Sequence, residues 1–113
     1  RAPRAASAAA AEAPPADLCC PITHVLFVDP VLCVGDGETY ERYAIERWFR
    51  ERQALLDEAQ AELESSNGES ERALQVLAAG ITSPMGHGVM ETTALAPNRS
   101  LRRLADDWRT SHD

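Results

Sequence analysis

Apolar side chains at helical spacing predict an amphipathic helix near the middle of the chain. The positions that share one face of this helix are Glu41, Ile45, Trp48, Phe49 and Arg52. Ile45 and Phe49 lie one turn apart and are expected to enter a core, with Trp48 at the edge of the same face. Thr39 is expected to cap the helix, because its side-chain oxygen can accept a backbone N–H of the first turn. We predict that the rest of the chain folds around this helix.

The apolar segment before the helix predicts a loop and then a short strand. Residues 18–27 mix apolar residues with Pro21 and polar side chains, which favours a loop. Asp29-Pro30 marks a break, because the residue before proline is pushed out of the helical region. We therefore expect the strand near 31–34. A glycine-rich turn at 35–38 then leads into the helix and leaves room for a second short strand.

Good helix formers continue past Phe49 and predict an inserted helical hairpin at about 50–79. A break at 65–68 separates its two helices. Ser66 and Glu69 have the spacing of a capping box for the second helix, and Gly80 follows its last residue, Ala79. The apolar positions of the hairpin can pack on each other or on a partner, and self-packing is the favoured interpretation.

The C-terminal third predicts a loop, an extended segment and a last helix. His87 lies between two glycines in the loop that begins at Ser83-Pro84. Asn98 is expected to cap the last helix. Its apolar stripe is predicted at Leu101, Leu104, Ala105 and Trp108, which recur at helical spacing. The fold class predicted from these elements is α+β with little strand.

The composition and net charge of the chain limit the functions and the cellular compartments that we expect. The 113 residues carry a net charge of −7, which argues against a nucleic acid partner. No run approaches the roughly 18 apolar residues of a membrane span, and without a signal-peptide core we expect a cytoplasmic or nuclear protein. Residues 1–16 are rich in Ala and Pro and are predicted to be a disordered linker. Because the chain starts at Arg1, we expect it to be part of a longer protein.

Three groups of residues together resemble the U-box family of ubiquitin ligases. They are Cys20-Pro21-Ile22 with Asp29-Pro30-Val31, Gly37-Glu38-Thr39-Tyr40-Glu41-Arg42 with Ile45 and Trp48, and Ser83-Pro84 with Leu95-Ala96-Pro97-Asn98, Leu101-Arg102 and Trp108. Their order and spacing carry the resemblance, which covers about residues 17–109 without the insertion at 50–79. It implies a U-box domain over 17–113 with two loops, a short β-hairpin, a central helix and a C-terminal helix.

In that family a RING-like scaffold is held together without zinc. The resemblance implies that side chains replace the metal in a polar network formed by Asp29, Glu41, Arg42, Ser83 and Asn98. Arg42→Ala is then expected to destabilise the fold, because breaking a buried pair on one side leaves a charge without its partner. Neither a metal nor a cofactor is expected.

The metal ligands available in the chain agree with a zinc-free scaffold. A two-zinc RING site needs about eight Cys or His ligands, four for each metal. The chain has three Cys and three His. One site formed by Cys20, His24, Cys33 and His87 stays open as an alternative and would make the chain a small zinc-binding domain. Otherwise Cys20 and Cys33 are expected to be small buried hydrophobes.

The resemblance also implies a surface that docks a ubiquitin-conjugating enzyme. Ile22 and His24 in the first loop, Trp48 on the helix and Pro84 in the second loop are the positions that match it. His24 stands where the family usually has an apolar contact residue. His87 matches a position that often carries a cationic or amide side chain, which hydrogen-bonds ubiquitin and the conjugating enzyme. His87 is therefore the candidate for orienting ubiquitin.

These observations predict a ubiquitin-protein ligase module. It would promote transfer of ubiquitin from the thioester of the conjugating enzyme to an amine of an unidentified protein substrate, without a covalent intermediate of its own. The alternative is an inactive U-box-like scaffold that binds protein partners through the inserted helices at 50–79. Whether the domain forms a homodimer is left open.

Overall fold

The strand β1 at Pro30–Cys33 is the middle strand of a three-stranded antiparallel sheet in the computed structural model, which describes residues 13–112. The other elements are β2 at Glu38–Glu41, α1 at Arg42–Ser65, α2 at Glu71–Ala79, β3 at Leu95–Pro97 and α3 at Arg99–Ser111. The expected α+β class is confirmed. Of the predicted linker at 1–16, residues 1–12 lie outside the described part of the chain, as does Asp113.

The helix α1 begins directly after the residues of β2 that pair with β1. Val31 lies opposite Tyr40 of β2 and opposite Pro97 of β3. Because Thr39 belongs to β2, the expectation that it caps the central helix is wrong. Its hydroxyl instead accepts a hydrogen bond of 3.1 Å from the amide of Asn98. The helix starts at Arg42, where the paired residues of β2 end.

The core lies between the sheet, the N-terminal half of α1 and the face of α3 that contains Ala105. Its buried members are Cys20, Phe27, Val31, Cys33, Tyr40, Ala44, Ile45, Met90 and Ala105. Ile45 is buried as predicted, whereas Phe49 is only partly covered. The prediction that Leu104 faces inward is wrong, since its side chain is 55% exposed. The last helix contacts β1 and the short helical turn at Ala16–Leu18 along a narrow stripe, which Leu101 and Ala105 fill.

The insertion forms a two-helix arm, which we define as residues 50–79. Ala59 of α1 and Ala73 of α2 are buried where the two helices pack on each other, while Leu55 and Leu74 remain exposed. The cap of α2 is Ser70 rather than the predicted Ser66, because the Ser70 hydroxyl accepts the Ala73 N–H at 3.2 Å. Small residues at the contact let the helix backbones approach closely.

Gly80 ends α2 as predicted, with a φ of 61° that favours glycine. Ser66 has a different part in the connection, since its hydroxyl accepts the backbone N–H of Ser70 at 2.9 Å. The chain then returns from the arm to the sheet through residues 80–94, which we call the second loop. Residues 18–29, before β1, are the first loop.

Candidate protein-docking site

Glu41 fixes the end of the first loop from the last position of β2. Its carboxylate accepts the backbone N–H groups of Val28 and Asp29 at 2.9 and 2.6 Å. Arg42, the next residue, donates from Nε to the Asp29 carboxylate at 2.7 Å. This ion pair is half-exposed, with 37% of the Arg42 and 41% of the Asp29 side chain accessible to solvent. The expectation of a buried pair at Arg42 is therefore wrong, and its loss costs less than removal of a buried partner.

Cys20 holds the first loop from inside. Its buried Sγ lies 3.3 Å from the backbone nitrogens of both Ile22 and Glu41, which donate to it. At the other end of the chain, Arg109 of α3 donates to the backbone oxygen of Phe27 at 2.7 Å. The Cys20 thiol and the Arg109 guanidinium thus help to hold the loop in a fixed shape. Sequence reasoning did not single out Arg109, because its partner lies 82 positions earlier.

The second loop is tied to the sheet through Asp36. The hydroxyls of Tyr40 and Ser83 both donate to its Oδ2 at 2.6 Å, and the backbone N–H of Glu38 donates to its Oδ1 at 2.9 Å. Burial opposes ionisation of this carboxyl, but the hydrogen bonds from Ser83 and Tyr40 outweigh it and lower the pKa of Asp36 below its ordinary value of 3.8. Burial and the same hydrogen bond raise the pKa of Tyr40 above its ordinary value of 10.0.

Asp36 and Tyr40 were missed by sequence reasoning. The bond from Asp36 to the N–H two residues on is a common turn arrangement, so the Asp-Gly pair carried a local signal. The contact with Ser83, 47 positions away, carried none. Ser83 therefore belongs to a different hydrogen-bonded group from Asp29, Glu41 and Arg42, with which it was expected to form one network.

Asn98 forms a third group, where β3 meets α3. Its Oδ1 accepts the N–H of Leu101 at 3.1 Å, which is the helix cap expected from the sequence. Its backbone N–H donates to the oxygen of Pro30 at 2.9 Å. Together with the bond to Thr39, these contacts join the start of α3 to the edges of β1 and β2.

Trp48 joins α1 to the second loop. Its indole Nε1 donates to the backbone oxygen of Thr82 at 2.7 Å, and the guanidinium carbon of Arg52 lies 5.9 Å from the ring centroid. The side chain is partly buried. Pro84, also partly buried, follows Thr82 by two residues in the same loop. The polar edge of the indole is thus used within the domain, and part of the side chain remains exposed at the surface.

A pocket of about 390 Å³ lies between the first loop and α1. Its lining residues are Ile22, Thr23, Tyr43, Ala44, Arg47, Trp48, Arg50 and Glu51. We call this surface the loop–helix pocket. Ile22 and Trp48, two of the four predicted docking residues, meet in it. Tyr43 is 58% exposed at its rim and was missed by sequence reasoning, because it lies off the apolar face of α1.

His24 lies at a different place from Ile22. It is exposed with a φ of 61°, and it lines a second pocket, of about 590 Å³, together with Glu38 and Leu101. The positive φ accompanies a tight turn in the middle of the first loop, where the His24 N–H donates to the Cys20 oxygen at 2.7 Å. The sequence therefore placed His24 correctly in the first loop but did not reveal that it borders a pocket beside β2.

His87 is held by the sheet. Its Nε2 lies 2.8 Å from Oε2 of Glu38, the first residue of β2, and both side chains are half-exposed. Gly86 and Gly88 on either side have φ values of 77° and 88°. A carbon atom added at either glycine would meet nothing within 4 Å. The tip of the second loop is therefore an open turn, and the side chain of His87 binds this tip to Glu38.

The residues proposed for a single zinc site are not gathered in one place. Within residues 13–112, no group of three or more His, Cys, Asp or Glu side chains is arranged to hold a metal ion. Cys33 is buried with its Sγ 3.6 Å from the sulfur of Met90, and burial together with Asp36 raises the pKa of its thiol.

Among the described residues, no helix combines the length and the hydropathy that crossing a membrane requires.

Comparison with known proteins agrees with this arrangement. The U-box domain model matches residues 14–113. Over 97 residues the chain is 32% identical to the zebrafish WD repeat, SAM and U-box domain-containing protein 1, an alignment that covers 86% of the chain and 14% of that protein. U-box domain-containing protein 36 of Arabidopsis thaliana is 34% identical over 95 residues, which are 84% of the chain and 15% of the relative.

A shorter match is to a protein whose name includes an activity. The protein called "Putative E3 ubiquitin-protein ligase LIN-1" in Lotus japonicus is 54% identical over 37 residues, which are 33% of the chain and 2% of that protein. The chain spans about a seventh of the zebrafish and Arabidopsis relatives described above. Since the match to the family model extends over both loops, the sheet, the arm and the last helix, the chain belongs to the U-box family.

Proposed function

We propose that this domain is a ubiquitin-protein ligase module that docks a ubiquitin-conjugating enzyme at the loop–helix pocket and the adjoining second loop. The observation that carries the proposal is the contact between Trp48 and Thr82. It joins the second loop to the helix that also forms the pocket with Ile22. A shallow surface with an aromatic side chain at its edge suits a weak and transient protein interface.

The reaction requires no nucleophile from the domain. The uncharged amine of the substrate attacks the carbonyl carbon of the thioester, and the C–N bond forms as the C–S bond breaks. The cysteine of the conjugating enzyme leaves as a thiolate, and the amide nitrogen loses a proton to solvent. The contribution of the domain is to hold the enzyme and its ubiquitin in a reactive arrangement. Burial raises the pKa of the Cys19 and Cys33 thiols, so these two side chains form the nucleophilic thiolate less readily.

His87 is the side chain proposed to orient ubiquitin. It lies in the same second loop as Pro84, three residues further along the chain. Its ring is half-exposed, so one edge can meet a partner while Nε2 stays on Glu38. An imidazole can hydrogen-bond through either nitrogen, so Nδ1 remains for a contact with ubiquitin or the conjugating enzyme while Nε2 is bound to Glu38.

The test is a discharge assay, in which several conjugating enzymes loaded with ubiquitin react with free lysine. Free lysine is the acceptor because the 11 basic residues of the chain are all Arg. We expect the domain to accelerate discharge by at least one of these enzymes. Ile22→Ala and Pro84→Ala should abolish the acceleration, and Val34→Ala, which truncates an exposed apolar side chain at the turn after β1, should not.

Ile22 is partly packed against the core, so its variant needs a folding control. Tyr43→Ala provides a second variant, because Tyr43 is exposed at the rim of the same pocket. If both variants keep the circular dichroism of the parent and both lose activity, the pocket is the docking site. If both keep full activity, the proposed docking site is wrong.

The second candidate function is a scaffold that binds protein partners through the arm. Leu55 and Leu74 are exposed on it, although the helices already pack on each other through Ala59 and Ala73. Failure to accelerate discharge by any conjugating enzyme would favour this function. The decisive measurement would then be binding of partner proteins to the domain and to a Leu55→Ser, Leu74→Ser variant.

A further inference from the structure

We propose that Glu38 is a positioning residue for ubiquitin transfer, which acts by holding His87 and the tip of the second loop against the sheet. The inference rests on the proposed function, since it assigns a part in the same reaction. Its starting point is the 2.8 Å contact between Glu38 Oε2 and His87 Nε2, which joins residues 49 positions apart. Sequence reasoning gave Glu38 no such role.

Apart from the contact with Glu38, the tip is bonded to the base of its own loop, where Ser83 makes hydrogen bonds with Met85, Gly86 and Gly88. Residues 85–89 are all exposed, and the glycines on both sides of His87 have open space around them. Glycine also loses more conformational freedom than other residues when its backbone is fixed. The base of the loop is secured separately, by Ser83 on Asp36 and by the paired Thr82 and Val89. Removal of the Glu38 carboxylate should therefore release the His87 side chain from the sheet and leave the base in place.

The contact also determines which ring atom can meet a partner. A carboxylate only accepts, so Nε2 of His87 is the donor towards Glu38. This leaves Nδ1 for a partner, and the hydrogen bond fixes the plane in which that atom lies. A ring held in one orientation gives up less entropy when ubiquitin binds than a ring that rotates freely.

Glu38 is well placed for this task because it belongs to a strand. All four residues of β2 pair with β1, with Glu38 opposite Cys33. The N–H of Glu38 is also fixed, by its bond to Asp36. A side chain carried by a paired strand is held more firmly than one on a loop, so the tip of the second loop takes its position from the sheet.

The experiment measures single-turnover discharge of a ubiquitin-loaded conjugating enzyme to free lysine, at a series of domain concentrations. This separates the maximal rate from the concentration of domain that gives half of it. Glu38→Ala should lower the maximal rate about two- to fivefold, as expected for the loss of one half-exposed hydrogen bond. The half-saturating concentration should not change, because the loop–helix pocket is intact. Glu38→Gln should restore most of the rate, since its amide oxygen still accepts from Nε2.

The double variant of Glu38 and His87 gives the sharpest result. If Glu38 acts through His87, then Glu38→Ala combined with His87→Ala should be no slower than His87→Ala alone. Rates that multiply would overturn the proposal. Glu91→Ala removes an exposed carboxylate from the same loop and should leave the rate unchanged. If Glu38→Ala lowers the melting temperature, Glu38→Thr, which favours a strand and also lacks the carboxylate, replaces it.

Failure of this inference can be told from failure of the proposed function. If the parent domain accelerates discharge and Ile22→Ala abolishes it, the ligase function stands whatever Glu38 does. Unchanged kinetics in Glu38→Ala would then overturn only the role of Glu38. If the parent does not accelerate discharge by any conjugating enzyme, the proposed function and the role of Glu38 are both wrong.

Discussion

The indole of Trp48 donates to the backbone oxygen of Thr82 and connects the N-terminal half of α1 to the second loop, 34 residues further along the chain. The same side chain lines the loop–helix pocket with Ile22. One residue therefore contributes to the surface and holds its neighbouring loop. Its two contributions can be separated, because phenylalanine keeps a ring and loses the donor.

Trp48→Phe should loosen the second loop. Loss of one hydrogen bond costs about 1 kcal/mol, which lowers the melting temperature of a domain this small by about 4 to 8 °C. Hydrogen exchange should become faster at the amides of Ser83 and Met90, which are protected by bonds within the loop. Trp108→Phe, in the last helix, is the matched control and should leave those amides unchanged. Equal effects of the two variants would contradict a local role for Trp48.

Glu41 should matter more for stability than its neighbour Arg42. Glu41→Gln leaves an amide group opposite a backbone N–H and removes the charge that strengthens both bonds, at a cost of about 2 kcal/mol. Arg42→Ala breaks a half-exposed ion pair, which is worth about 1 kcal/mol or less. Urea unfolding of both variants and of Glu91→Gln as a control measures the difference. A larger loss for Arg42→Ala would show that the Asp29 pair dominates.

Asp36 should make the domain sensitive to acid. Its folded-state pKa lies below the ordinary value of 3.8, so its contribution to stability is complete above that pH and is lost as the pH falls through the lower value. Asp36→Asn should therefore lower the free energy of unfolding at neutral pH by about 2 kcal/mol. The same variant should show a smaller further decline below about pH 4 than the parent. Parallel stability curves for the two proteins across this range would exclude the assigned role.

The arm should be sensitive to side-chain size at its internal contact. Ala59→Leu adds three carbon atoms where 4% of the side chain is exposed, and overpacking of this kind costs about 1 to 3 kcal/mol. Hydrogen exchange should increase in α2 and in the C-terminal half of α1, while the amides of β1 stay protected. Ala61→Leu, at an exposed position of the same helix, is the matched control. A loss of protection in β1 would mean that the arm and the core unfold together.

Local patterns in the sequence were sufficient for the helices and for the family. The run of good helix formers up to Ser65 and the cap at Asn98 depend on residues close in sequence, and both agree with the structure. The start of α1 could not be read in this way. Thr39 is an adequate cap by type, but pairing of β2 with β1 uses its backbone and Asn98 uses its hydroxyl.

The candidate site was predicted only in part, because some of its contacts join residues that are far apart in the sequence. Ile22 and Trp48 could be identified because they belong to segments that resemble the family. Asp36 and Glu38 act on Ser83 and His87, which lie 47 and 49 residues away. A sequence pattern contains no signal for such a contact until the fold brings the two segments together.

The two ends of the arm lie close together on the domain. The Arg52 guanidinium, near its start, reaches the backbone oxygen of Gly80, directly after its end, at 3.5 Å. Its far end at Ser65 lies about 26 Å along α1 from Trp48 at the usual helical rise. The length of the arm is therefore uncoupled from the geometry of the loop–helix pocket. A fluorescent reporter or a second domain could be grafted into the exposed turn at Asn67-Gly68, and the loops on the body of the domain would keep their spacing.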